Sequence, residues 1–248
     1  MNRFVKTAYQ PYKWIIAIPM IFFLTMILGI LCIIAAVLSR KKDRANTVAV
    51  VWAKLCCIMV PLRIKLAGQD NYDPATAYVV VSNHQSMADI PVVHASLGLN
   101  IKWVMKKELR RVPIFGAACR HLGCIYIDRS DHSSAVLALE QARKKRTDTA
   151  SIFFFAEGTR SRDSRLMPFK KGAFKFACDA GLPILPLTIK NSSKRLPSDS
   201  LDLTPGSVDL VVHRPIHPFD HPNDTVNTLM LKTRLAVEKG FDITTDSG

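Results

Sequence analysis

From Trp14 to Ser39 the chain carries no charged residue, and most positions are Ile, Leu, Met, Phe, Val or Ala. This stretch limits the fold more than any other. As a helix it reaches ~39 Å at ~1.5 Å per residue, enough to cross a bilayer core. A cleaved signal sequence is the alternative, with Arg3, Lys6 and Lys13 as its charged start. Such a segment has an apolar part of ~7–15 residues followed by a small-x-small site, and neither fits here. The expectation is a retained helix that spans the membrane or dips into one leaflet, with Pro19 and Gly29 as points where it can bend. The basic run Arg40-Lys41-Lys42-Asp43-Arg44 slightly outweighs the basic residues before the segment, which puts the rest of the chain on the cytoplasmic side. A second apolar run, Asn46 to Val60, holds Lys54 as its one charge and ends at Pro61. It is too short to span comfortably. Three readings stay open for it: an interfacial helix, a helix tucked beside the first, or an ordinary buried helix. The expected organisation is therefore membrane-associated helices in residues 1–61 (14–39 and 46–60) and a catalytic domain in residues 62–248.

The net charge of +14 points to phosphate-bearing partners. No zinc-finger, basic-zipper or RNA-recognition signature is present, and beside an apolar helix an anionic bilayer surface is the expected partner rather than nucleic acid. Six cysteines show no metal-ligand spacing, and Cys56 and Cys57 are adjacent, so they read as small apolar residues in a reducing compartment.

After Leu62, short apolar runs alternate with helical stretches. Strands are expected at Ala77–Val81, Ile101–Met105, Cys124–Ile127, Ser151–Phe155, Ile184–Ile189 and Val208–Val212. Helices are expected from Ala88 to Gly98 and at Ile114–Leu122, Ser133–Arg146, Gly172–Ala180 and Val226–Lys239. Asn191–Pro205 reads as one long polar loop. The alternation predicts an α/β domain, a largely parallel sheet covered by helices on both faces.

The run VVVSNHQSMADIP, Val79 to Pro91, places His84 and Asp89 five positions apart. In mid-helix such residues point ~140° away from each other. They meet if His84 lies in the turn after a strand and Asp89 in the first turn of the next helix. Asp89 then accepts the Nδ1–H of His84 and leaves Nε2 free to take a proton. A chain with seven histidines and many aspartates meets this spacing readily by chance, so the pair needs context. Three further stretches supply it: Met105-Lys106-Lys107-Glu108-Leu109 with Val112-Pro113-Ile114-Phe115-Gly116, then Phe155-Ala156-Glu157-Gly158-Thr159-Arg160-Ser161-Arg162, then Gly181-Leu182-Pro183-Ile184-Leu185-Pro186-Leu187. The second of these sets a carboxylate, a glycine, a hydroxyl and two guanidiniums at the C-terminal end of a strand. Ligands of α/β sheets bind at that edge, and arginine there suits a phosphate.

Together these four blocks resemble the glycerolipid acyltransferase family, and most closely the 1-acyl-glycerol-3-phosphate (lysophosphatidate) acyltransferases. The likeness runs from about Ala77 to Ile189, with Ala156 where the family usually has proline. It implies a glycerolphosphate-acyltransferase-like fold and an acyl transfer from acyl-CoA or acyl carrier protein to a lysophosphatidate hydroxyl, with no cofactor or metal. On the resemblance, His84 is the general base and Asp89 its orienter. Lys106 and Arg160 hold the acceptor's phosphate, Glu157, Gly158 and Thr159 shape that pocket, and Arg129 is a further phosphate candidate. Lys107, Arg110, Arg111, Arg162, Lys170 and Lys171 read as a general basic surface, and Glu108 as a helix-start residue. The other six histidines, His94, His121, His132, His213, His217 and His221, read as structural or exposed. Alternatives are an acyltransferase for another lysolipid (lyso-ornithine lipid, or glycerol-3-phosphate itself) and a non-catalytic lipid-binding member.

Overall fold

The amino-terminal rod is helical throughout: α1 (Arg3–Tyr12), a π-helical turn (Lys13–Ala17) and α2 (Ile18–Leu38) follow without a break. The computed structural model describes residues 3–38, 43–145, 147, 149–163, 165–218, 220 and 225–243. The basic residues Arg40, Lys41 and Lys42, Arg146 at the end of an expected helix, and His221 lie outside the described residues. Pro19 has no N–H to offer and its ring crowds the carbonyl four residues back. The turn before it widens, so that the Ile18 N–H reaches back to the Lys13 carbonyl. From Thr7 to Leu38 the rod is long and apolar enough to cross a membrane. Trp14, Ile15, Phe22, Phe23, Ile27 and Leu38 are exposed along it, an apolar surface of the kind that marks a membrane or protein contact.

Helix α3 (Asp43–Met59) returns beside α2, so the second apolar run is the helix tucked against the first. Cys32 and Ala45 pack between the two with Ala118, and Trp52 Nε1 donates to Thr25 Oγ1 at 3.0 Å. The opposite side of α3 reaches the main core through Cys57. Helix α2 runs without a break through Gly29. A Cβ there would lie 2.7 Å from Ile114 Cγ2, so the glycine admits that side chain.

The remaining elements are β1 (Leu62–Ala67), β2 (Val79–Ser82), α4 (Asp89–Ser96), β3 (Asn100–Lys106), α5 (Phe115–His121), β4 (Ile125–Ile127), α6 (His132–Lys145), β5 (Ala150–Phe155), α7 (Gly172–Ala180), β6 (Ile184–Lys190), β7 (Gly206–Val212) and α8 (Val226–Gly240). The sheet order is β1-β7-β6-β2-β5-β3-β4, and every pairing is parallel except β6 with β7. The mostly parallel, helix-covered sheet is the expected class. Strand β1 was not among the expected strands: Arg63 and Lys65 alternate with its apolar residues, as suits an edge strand with one wet face.

Alternation on the strands builds two cores. Phe153 and Phe155 of β5 face Val92 and Val93 of α4, while Ile152 and Phe154 face Phe174 of α7 and Leu229 of α8. Fully burying a side chain such as Phe153 or Phe174 contributes about 1.5–3 kcal/mol. Because β6, β2 and β5 are adjacent and parallel, their C-terminal ends release three connections side by side, 83–88, 156–171 and 191–205. Neighbouring strands lie ~4.8 Å apart, so groups carried by these turns can act on one molecule.

Candidate active site

Strand β2 ends at Ser82 and α4 starts at Asp89, which gives the strand–turn–helix that the pair needs. His84 Nδ1 lies 2.8 Å from Asp89 Oδ2. A carboxylate only accepts, so Nδ1 carries the hydrogen and Nε2 carries a lone pair. The same oxygen accepts the backbone N–H of Gln85 at 2.8 Å and of Ser86 at 2.9 Å. Asp89 is fully buried in the first turn of α4, while the His84 side chain keeps 13% of its surface open. The imidazole lies flat on the Phe155 ring, centroids 3.6 Å apart and planes within 11°. Hydrogen bond and stack together fix the ring while leaving it reachable.

Polar neighbours in the same turn lock it to the sheet. Asn83 exchanges two hydrogen bonds with the backbone of Ile189 on β6, each 2.8 Å. Ser86 Oγ donates to the Leu196 carbonyl at 2.7 Å and accepts the Ala88 N–H. Sequence reasoning assigned neither residue a task. Short polar side chains at a strand's end, where backbone groups lose their ladder partners, are the signal that marks them.

The turn after β5 is stitched to the first. The His84 N–H donates to Glu157 Oε1 at 2.8 Å, and the Ser161 N–H donates to the His84 carbonyl at 2.8 Å. Glu157 Oε2 also accepts the Met167 N–H at 3.2 Å. Burial pushes the Glu157 carboxyl up to about 7 despite these donors. Ala156, in place of the family's usual proline, keeps an N–H that donates to the Ser82 carbonyl at 3.0 Å and so extends the β2–β5 ladder. Gly158 sits at φ +73°, where a Cβ would also run into the Lys170 side chain at 2.8 Å.

Arg160 turns toward the third connection, pairing with Asp199 at 3.0 Å. That connection is fastened to both others. Ser198 Oγ is 3.1 Å from the carbonyls of Gln85 and of Ser161, and Leu196 holds Ser86. It also reaches the amino-terminal rod: Lys13, aimed inward by the π turn and only 3% exposed, pairs with Asp202 at 2.9 Å. These partners stand 37 to 189 residues apart, so no local pattern announces them.

Other expected site residues lie further out. Lys106, at the end of β3, is exposed and pairs with Glu108 at 3.7 Å; Glu108 stands in the first turn of a short 3-10 helix. The Thr159 side chain is exposed. Arg129 follows β4 and lines a cleft of about 330 Å³ with Leu139, Phe154, Gly158 and Lys170, on the side of β5 away from Asp199. His94 is buried, accepts from Trp103 Nε1 at 3.3 Å and is pushed down to about 4 by burial, a structural neutral histidine. The six cysteines are free, and Cys56 and Cys57 are buried, which suits the inert apolar role.

With this geometry in place, comparisons identify close likenesses. A family model described as Acyltransferase matches residues 63–190. The chain is 37% identical over 180 residues to the chloroplastic 1-acyl-sn-glycerol-3-phosphate acyltransferase BAT2 of Brassica napus, covering 72% of this chain and 52% of that protein. It is 33% identical to an uncharacterised acyltransferase of Schizosaccharomyces pombe, over 75% of this chain and 68% of that one. The crystal structure of the 1-acyl-sn-glycerophosphate acyltransferase PlsC from Thermotoga maritima superposes with a TM-score of 0.79 at 25% identity, covering 98% of this chain and 97% of that one. The chain spans about half the length of the plant relatives it matches.

Proposed function

This chain belongs to the acyltransferase family, and we propose on that footing that it acylates the free hydroxyl of 1-acyl-glycerol-3-phosphate, making phosphatidate. The observation that carries the reading is the His84–Asp89 pair, its aspartate buried and its Nε2 without a partner among the described residues, joined by hydrogen bonds to the turn that bears Arg160. The relatives named for the same activity support the choice of acceptor.

In this mechanism Arg160 binds the acceptor's phosphate, with Lys106 as a further cation at the same sheet edge. Glu157, Gly158 and Thr159 form the turn that presents Arg160. His84 Nε2 takes the proton of the acceptor hydroxyl as its oxygen attacks the thioester carbonyl of acyl-CoA or acyl carrier protein. The C–S bond then breaks, and the thiolate leaves with the proton that His84 returns. Asp89 holds the ring and stabilises the imidazolium between those transfers. No acyl-enzyme forms, and no cofactor or resident metal enters. General-base catalysis supplies roughly 10²–10⁴-fold, and positioning of the two substrates supplies much of the remainder. The exposed apolar face of the rod anchors the membrane-associated helices of residues 1–61 to the bilayer, with the catalytic part, residues 62–248, at its cytoplasmic face, where a lysolipid is at hand.

The test is acyl transfer by the purified protein in detergent, with lysophosphatidate, glycerol-3-phosphate and a lyso-ornithine lipid as acceptors and both thioesters as donors. Phosphatidate formed with stoichiometric thiol release supports the reading. Faster turnover of another acceptor reassigns the substrate, and lipid association without thiol release identifies a non-catalytic binder.

A further inference from the structure

Asp199 stands on Arg160, which the proposed function reserves for the acceptor's phosphate, and on the neighbouring exposed Arg162. Its Oδ1 accepts from Arg160 Nη2 at 3.0 Å, and its Oδ2 lies 3.4 Å from Arg162 Nη2. One carboxylate thus spans two guanidiniums, as a phosphate would. Nor is it there by the drift of a free side chain. Its backbone is held at φ 61°, a left-handed conformation that Asp and Asn adopt more readily than other non-glycine residues. The loop around it is pinned by Ser198 to Gln85 and Ser161, by Leu196 to Ser86, and by Asp202 to the buried Lys13. The fold delivers an anion to its own anion grip.

We propose that Asp199 is an internal counter-anion that competes with the lipid headgroup for Arg160 and Arg162, setting acceptor affinity and easing product release. The inference rests on the proposed acceptor role of Arg160. Acceptor and product carry the same phosphate monoester, so a grip with no competitor would hold both equally tightly. A phosphate monoester brings a charge of about −1.5 to −2 and three acceptor oxygens, against one charge and two oxygens for the carboxylate, so it displaces Asp199. When the product tilts away, the carboxylate is already tethered within reach to reclaim the arginines. Its weakening of headgroup binding is the same for acceptor and product, because both must displace the same pair.

The test is Asp199→Asn in the full chain. Asparagine tolerates left-handed backbone well, and the Asp199 side chain is 56% exposed, so the fold is kept while the charge is lost. Asp199→Gly, which also suits that backbone, is the second variant, and thermal melts verify both. The variant should lower the KM for lysophosphatidate and the inhibition constant of added phosphatidate by a similar factor, roughly three- to tenfold. The KM for the acyl thioester should not move. Calorimetric titration with sn-glycerol 3-phosphate and with inorganic phosphate should show tighter binding by the same factor. A rise in KM with weaker anion binding would mean that Asp199 positions Arg160 instead, and unchanged constants would mean an inert surface pair; either overturns the proposal. If the wild-type chain forms no phosphatidate, the proposed function fails, while the titrations still decide the role of Asp199.

Discussion

The backbone N–H of His84 donates to Glu157 Oε1 at 2.8 Å, so the carboxylate of one motif holds the main chain of another 73 positions away. The Glu157 side chain therefore acts on the histidine's placement.

Glu157 should impose a pH dependence on stability. Burial raises its carboxyl to about 7, above the ~4.3 of an unfolded chain, so the folded state binds more protons between those values. The stability it contributes is full below the unfolded value and is lost as pH rises through about 7. Glu157→Gln, which cannot ionise, should remove that decline, worth up to about 4 kcal/mol. Melting temperatures of both proteins from pH 5 to 8 check this: the wild type should lose ground to the variant as pH rises, and parallel curves contradict it.

Asp89→Asn should separate orientation from binding. Three donors converge on Asp89 Oδ2, and an asparagine that keeps its carbonyl there loses the charge that stabilises the imidazolium and buries its NH2 at the Oδ1 position, which has no partner among the described residues. Turnover should fall roughly 10²–10⁴-fold, with stability lowered by about 1–3 kcal/mol. The KM for lysophosphatidate should stay within a few-fold, since the phosphate grip is on another turn. A collapse of KM with normal kcat would point to a binding role instead.

Arg160→Ala should act chiefly on acceptors that bear phosphate. Losing a charge-assisted bond of about 1.5–3 kcal/mol raises the KM for lysophosphatidate roughly 10- to 150-fold. Transfer to an uncharged monoacylglycerol, assayed in parallel, should change little. Equal losses with both acceptors contradict the assignment.

The Lys13–Asp202 pair should be worth more to the fold than its place in a loop suggests. Asp202→Ala leaves the buried Lys13 ammonium without that carboxylate and should cost about 3 kcal/mol, whereas Lys13→Met should cost clearly less. Thermal unfolding in detergent gives both numbers. Equal effects would show that burial of Lys13 is not what makes the pair matter.

Much of this architecture is legible in the sequence because it rests on local periodicity. The helix Gly172–Ala180 is where apolar spacing puts it, and β5 begins one residue earlier than expected. His84 and Asp89 are legible for a similar reason: one turn holds both, so strand and helix signals suffice to bring them together. Strand β1 is legible too, since Arg63 and Lys65 alternate with Leu62, Ile64 and Leu66 as on an edge strand, but a search for continuous apolar runs passes over it. Arg129, carried past the end of β4, lines a cleft with Gly158 of the turn that bears Arg160, a meeting that the sheet order and not the local sequence brings about. The loop 191–205 reads as polar filler because its partners, Gln85, Ser86, Arg160, Ser161 and Lys13, are distant in the chain. Only the parallel placement of β2, β5 and β6 makes its role visible.

The account stands on His84 as the base. Turnover of lysophosphatidate with an acyl thioester, followed by thiol release, should be compared between the wild type and His84→Ala at matched folding. A fall of roughly 10²–10⁴-fold, with lysophosphatidate binding retained, is the predicted result. Turnover by His84→Ala within a few-fold of the wild type would contradict it.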